Sequence, residues 1–236
     1  MLYMGSKARL ADWLIGLMKP YLEKAPVYCE PFVGGANLIC RVPHPVRIGS
    51  DSNKYLIALL KKVQEDSTVL PATIDKETYE NVRKNQGAFD PWYVGMVAFC
   101  GSQLCFFWGG YSYEDPKSNC FQRLNNLRKQ APLLKGIEFR CIDYRRIRVD
   151  KFPPGSLFYC DPPYKDTAGY KGQYFDHDAF YRWCGMVSGV GHIVLLSEFQ
   201  APPCFEELGS VQRSHPIDPM KFEPTEVTER LFIYRG

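Results

Sequence analysis

Four residues, Asp161-Pro162-Pro163-Tyr164, follow the apolar run Leu157-Phe158-Tyr159-Cys160 and carry the strongest chemical signal in the chain. A carboxylate beside a backbone carbonyl offers two hydrogen-bond acceptors to one amino group. An exocyclic aromatic amine shares its lone pair with its ring and is a poor nucleophile. A site that methylates it must accept both N–H bonds and hold the lone pair in line with the methyl donor. Prolines fix φ and remove competing donors from such a turn, and an aromatic neighbour can stack on a base turned out of a duplex. Taken alone, the tetrapeptide also fits a strand followed by an ordinary proline turn, with Tyr164 in the core.

A second cluster, Glu30-Pro31-Phe32-Val33-Gly34-Gly35-Ala36, closes the short run Val27-Tyr28-Cys29. Glycines let a backbone approach a ligand closely, and a strand-end carboxylate can bond ribose hydroxyls or an ammonium group. The spacing is not G-x-G-x-x-G, and no Gly-Lys-Ser/Thr follows, which disfavours a nicotinamide cofactor and a Walker-type phosphate loop. Asp51, about twenty residues on, ends the next strand where an acid can grip ribose. At the N-terminus, Tyr3-Met4-Gly5-Ser6-Lys7 places a lysine beside a glycine turn, suited to neutralising a carboxylate. Each acid alone also reads as a strand-end cap.

The elements that must position these residues are legible from apolar spacing. A helix is predicted over Asp12 to Leu22, strands over Val27 to Glu30 and Val46 to Ser50, and a helix over Asn53 to Gln64. Leu38 and Ile39 are expected to begin a helix after the glycine turn. Residues 66–136 break the strand–helix rhythm. Helices are predicted at Tyr79 to Gln86, Trp92 to Cys105 and Asn119 to Gln130, with a hairpin tip at Gly109-Gly110 between Trp108 and Tyr111. The strand series resumes at Ile137 to Ile142, Leu157 to Cys160 and Ile193 to Leu196, and a final pair lies near Val211 and Leu231 to Tyr234. The expected architecture is an α/β domain from 1–65 and 137–236, with a mostly helical lobe inserted at 66–136.

The length of 236 residues and 45% hydrophobic content suffice for one core and a small accessory lobe. The longest apolar runs are too short to cross a bilayer, and no signal-peptide run follows Lys7 and Arg9, so a soluble cytoplasmic protein is expected. Nine cysteines stand singly, with no C-x-x-C pair, and the four histidines lack zinc-ligand spacing. Buried thiols in a reducing compartment and no metal are expected. Net charge is only +3, but Lys117 to Lys151 holds ten basic residues against three acidic ones. Such an excess suits a phosphate backbone, and equally a solvated basic face.

Together these motifs resemble the Dam-like family of DNA adenine-N6 methyltransferases, in which a cofactor motif precedes DPPY with a target-recognition region between. The family's Y-x-G-x-K appears as Tyr3, Gly5 and Lys7, its E-P-F-x-G-x-G loop as Glu30 to Ala36, and its acidic strand end as Asp51. An F-x-x-x-D-Y-like segment appears as Phe139, Asp143 and Tyr144, and DPPY as Asp161 to Tyr164. The last strand appears as Glu229 to Tyr234. The resemblance implies a Rossmann-like S-adenosylmethionine-dependent methyltransferase sheet acting on adenine N6 in double-stranded DNA at a short recognition sequence. It is similar to compact forms from bacteria, bacteriophages and mobile elements, paired with a restriction enzyme or standing alone, and a monomer is expected.

By resemblance, Asp161 and the Pro162 carbonyl hold the amine, Pro163 shapes the turn, and Tyr164 stacks on the flipped base. Tyr3, Lys7, Glu30, Phe32, Gly34, Gly35, Ala36, Asp51, Asp143 and Asp161 are expected at the cofactor, with Lys7 on its carboxylate, Asp51 on ribose and Asp143 on its adenine amine. Phe175 and His177 fall behind the pocket. Trp108, Tyr111, Lys117, Arg123, Arg128 and Lys129 are expected at the DNA. Ala36 departs from the family's usual glycine. Methylation of cytosine-N4, RNA adenine or a protein glutamine shares this pocket chemistry, and a DNA-binding regulator without catalysis is a further alternative.

Overall fold

The computed structural model describes residues 6–104, 107–112, 119–164, 175–215 and 225–236. Strands β1 (Tyr28–Glu30), β2 (Arg47–Asp51), β5 (Ile137–Cys141), β6 (Leu157–Cys160), β7 (Ile193–Glu198), β8 (Phe205–His215) and β9 (Thr225–Tyr234) form a seven-stranded sheet in the order β5-β2-β1-β6-β7-β9-β8. A separate hairpin pairs β3 (Ser102–Leu104) with β4 (Trp108–Tyr111). The helices are α1 (Ala11–Leu22), α2 (Lys54–Glu65), α3 (Lys76–Lys84), α4 (Pro91–Cys100), α5 (Asn119–Leu134) and α6 (His177–Gly189). The α/β class expected from the sequence is the one observed. Chain contacts separate two units, Met1–Ala11 with Val33–Tyr144, and Asp12–Phe32 with Arg145–Gly236.

In the second unit, β1, β6 and β7 run parallel, with Tyr28 opposite Leu157 and Phe158 opposite Val194. β9 then pairs antiparallel with β7 and β8. All four residues of β6 are buried, as expected of a central parallel strand. Helix α1 buries Leu14, Met18 and Leu22, and α6 buries Phe180, Trp183, Cys184 and Val187. The chain leaves β1 for β2 and β5 and returns through β6 beside β1. Ligands bind at the carboxyl ends of strands where the order reverses in this way.

In the first unit, β2 and β5 pair in parallel from Arg47–Ile137 to Asp51–Cys141. Asn53 caps α2, its side chain accepting the backbone N–H groups of Tyr55 and Leu56, which satisfies donors that a helix start leaves orphaned. Helix α2 presents Leu56, Leu59, Leu60 and Val63 to the core. Helix α4 is buried all round, from Val94 to Cys100, so it is a core element rather than a surface helix. Gly95 is required where they meet, because a Cβ there would lie 2.2 Å from the Tyr55 carbonyl oxygen. Helix α2 therefore packs with the 66–136 segment rather than apart from it, and the compact unit crosses the boundary drawn at residue 65.

Two expectations are corrected. Residues after Ile39 form turns instead of a helix. The hairpin glycines lie inside β4, and Phe107, immediately before that strand, takes φ 63°. Helix α6, absent from the sequence reading, starts at Asp176, whose carboxylate caps the Ala179 N–H. Of the described cysteines, Cys29, Cys40, Cys100, Cys120, Cys160 and Cys184 are buried, acting as small hydrophobes. No helix among the described residues is long and apolar enough to cross a membrane, and none of their His, Cys, Asp and Glu side chains cluster as a metal site.

Candidate active site

The catalytic turn begins where β6 ends. Because β1 and β6 are paired and parallel, Glu30 and Asp161 arrive at the same end of neighbouring strands. Glu30 is buried, and its Oε1 accepts the Tyr28 hydroxyl at 2.7 Å. Burial pushes its carboxyl up to about 8; the Tyr28 hydrogen bond opposes this and the Asp161 charge reinforces it. The Asp161 charge thus helps to keep Glu30 protonated at this strand end.

The far end of the turn is braced twice. His177 Nε2 lies 2.9 Å from the Pro163 carbonyl oxygen. A carbonyl only accepts, so that nitrogen carries the proton and donates. His177 thus braces the turn, and its Nε2, carrying a proton, is not a base. Phe175 packs edge-on against Phe32 at 5.8 Å between centroids and against His177 at 4.9 Å. The Tyr164 hydroxyl donates to Glu229 Oε2 at 2.7 Å, and its ring stands edge-on to Phe199 at 4.7 Å. Glu229 on β9 is itself buried and pairs with Arg213 on β8. Burial first, then the Asp161 and Glu229 charges, hold the Tyr164 phenol well above its usual proton affinity, so it remains a neutral donor.

The glycine-rich loop belongs to the first unit and is built mainly by its backbone. The Val33 N–H donates to the Ser50 carbonyl at 2.8 Å, and the Gly34 N–H to Asp51 Oδ2 at 3.2 Å. Asp51 Oδ1 accepts the Asn53 N–H at 2.9 Å. Burial raises the Asp51 carboxyl, and the N–H groups of Asn53, Gly34 and Ser52 partly offset that. Gly34 and Ala36 both take left-handed backbone, with φ 48° and 55°. Glycine reaches this region freely, whereas a residue with a Cβ is strained there. Ala36 therefore occupies a position that demands glycine. From α5, Gln130 Nε2 donates to the Gly35 carbonyl at 2.9 Å and the Ala36 carbonyl at 3.0 Å.

The family model for the D12 class N6 adenine-specific DNA methyltransferases matches residues 3–182. The chain belongs to that family. The retron Ec67 DNA adenine methylase of Escherichia coli is 25% identical over 205 residues, spanning 76% of this chain and 71% of that protein. The type II methyltransferase M.FokI of Planomicrobium okeanokoites is 22% identical over 189 residues, spanning 71% of this chain and 29% of that protein. Among solved structures, the rRNA methyltransferase aviRa from Streptomyces viridochromogenes aligns over 97% of this chain and 84% of that one, with TM-score 0.44 and 14% identity.

The remaining expected residues of this adenine-specific DNA methyltransferase are placed unevenly. Lys7 is buried in a short 3-10 turn, and Asp143 follows β5 half-buried. Tyr3 and Lys117 lie outside the described residues, as does the side chain of Trp108. Arg123 is buried, its guanidinium held by the Phe99 and Ser102 carbonyls. Arg128 likewise donates to the Leu70 and Pro71 carbonyls, and Tyr111 turns its hydroxyl onto Ile74 and its ring onto Tyr79. These three hold the segment together. Lys129 on α5 is exposed, as are Arg145 and Arg146. Arg140 and Arg148 pair with Glu138 and Asp150. Sequence reasoning missed Gln130 and Glu229 as supports, since neither lies near its partner along the chain.

Proposed function

We propose that this methyltransferase transfers the methyl group of S-adenosylmethionine to adenine N6 in double-stranded DNA at a short recognition sequence, with the base turned out of the duplex. The observation that carries this reading is Asp161 at the carboxyl end of β6, on a turn anchored at Pro163 and Tyr164. The residues fit the donor. Glu30 and Asp161 place two polar carboxyl groups at adjacent strand ends, and S-adenosylmethionine, when bound, supplies a methyl group on a cationic sulfur. Glu30, Phe32, Gly34, Gly35, Ala36 and Asp51 are the residues assigned to hold it, with Tyr3, Lys7 and Asp143.

Asp161 and the Pro162 carbonyl accept the two N–H bonds of the amine and draw its nitrogen towards tetrahedral geometry. The Pro163 carbonyl is engaged by His177, so it serves the turn and not the substrate. Tyr164, tethered through its hydroxyl, offers its ring to the extruded base. Asp161 is placed to take the proton that the nitrogen would lose once the methyl group had passed from sulfur to nitrogen. The 66–136 segment is assigned to target recognition, with Lys129 as a phosphate contact, since an exposed lysine on α5 releases counterions on neutralising a phosphate.

The test is incubation of unmethylated plasmid with labelled S-adenosylmethionine, followed by nucleoside analysis. Label in N6-methyladenine is the expected result. Label in N4-methylcytosine, or in RNA or protein alone, overturns the assignment.

A further inference from the structure

We propose that Gln130 is a positioning residue for the methyl donor, clamping the glycine-rich loop into a shape that Ala36 would otherwise resist. The proposal rests on the assignment of that loop to S-adenosylmethionine. The two carbonyls that Gln130 holds, those of Gly35 and Ala36, belong to the peptide units on either side of the Ala36 Cα. Fixing both units fixes φ and ψ of residue 36 and of no other residue. That residue is Ala36, which sits at φ 55°. An L-residue with a Cβ pays for this region in steric strain.

The clamp is well placed to hold. Gln130 is 6% exposed, and hydrogen bonds to a buried amide cannot be exchanged for water without cost. One amide nitrogen carries two N–H bonds, enough for the two carbonyls, with Cys40 Sγ as a more distant neighbour at 3.8 Å. On its other side the loop is fixed by Ser50 at the Val33 N–H and Asp51 at the Gly34 N–H, and the Ala36 N–H donates to the Val33 carbonyl at 2.9 Å, so Gln130 engages carbonyls that those contacts leave untouched. Gln130 also lies on α5, within the segment assigned to target recognition and next to exposed Lys129. The helix that carries the phosphate contact therefore also carries the loop's clamp.

The experiment measures S-adenosylmethionine affinity by calorimetry for the wild type, Gln130→Leu, Ala36→Gly and the double variant, with Tm for each. Leucine keeps the volume and removes both donors. Gln130→Leu is expected to weaken binding about tenfold, and adding Ala36→Gly to restore most of that loss, because glycine adopts φ near 55° unaided. A merely structural role for Gln130 predicts loss without rescue. Unchanged affinity in Gln130→Leu overturns the proposal, and so does loss that Ala36→Gly leaves unrepaired. If Gln130→Leu does not fold, the double variant decides: it must fold and bind, and its failure counts against the clamp. A wild type that binds no S-adenosylmethionine defeats the functional assignment itself, a result distinct from either of these.

Discussion

The glycine-rich loop and the catalytic turn solve the same problem in different ways. Each must present polar groups at a strand end without collapsing. The loop at 33–36 is held mostly through its own backbone, by Ser50 and Asp51 on one side and Gln130 on the other, and it tolerates two left-handed residues. The turn at 161–164 is held by side chains from elements that arrive later, His177 at the start of α6 and Glu229 on β9. A backbone-built site depends on conformation and is sensitive to which residue can adopt it. A side-chain-built site depends on partners and is sensitive to their removal.

The largest effect expected from breaking this comparison is at the turn. Asp161→Ala should lower the turnover rate by about a thousandfold or more, measured as methyl transfer to plasmid, with a much smaller loss of S-adenosylmethionine affinity. Retained turnover would place the amine elsewhere. Next, Tyr164→Phe removes the tether to Glu229 and keeps the ring. It should cost about tenfold in kcat/KM for DNA, measured in steady state, with cofactor affinity unchanged. An unaltered kcat/KM would show that the ring is placed by Phe199 alone.

What the sequence disclosed follows the same division. Asp161 to Tyr164 was legible because a buried four-residue strand precedes it, and α2 because Asn53 caps an apolar stripe. Gly34 announced a left-handed turn through its residue type. Ala36 gave no such sign, since only the backbone shows φ 55°. Gln130 and Glu229 were hidden by chain separation, 94 residues from Ala36 and 65 from Tyr164. Glycine misled at Gly109-Gly110, which lie in a strand while Phe107 makes the turn. The carbonyl partners of Arg123 and Arg128 were equally hidden, because charge in a sequence does not reveal whether a guanidinium meets water or carbonyl oxygens.

That last point sharpens into a smaller prediction. Lys129→Ala should reduce the slope of log DNA affinity against log salt by roughly 0.9, measured by fluorescence anisotropy at several salt concentrations. Arg123→Ala should leave the slope unchanged and lower Tm, because it orphans the Phe99 and Ser102 carbonyls. A slope that falls equally in both variants would return Arg123 to the DNA surface.

A further expected effect is electrostatic and is read in stability rather than in turnover. Glu30 binds its proton up to about pH 8 when folded, against an ordinary 4.5. Between those values the folded state holds more protons than the unfolded one, so stability falls as pH rises through that window. Thermal melts of the wild type should show Tm declining from about pH 5 to pH 8, and Glu30→Gln should flatten that decline. A rising wild-type profile through the same range would mean that other groups dominate.

The interlock at Gly95 reaches beyond packing. Even a methyl group at that position would strike the first turn of α2 at Tyr55, and α2 begins just after Asp51 at the end of β2. Recognition segments exchanged between relatives at residue 65 would therefore carry one half of a mated joint into a chain holding the other. A chimaera cut there works only if the donor brings a glycine over Tyr55, and a splice placed before α2 avoids the problem by moving both halves together.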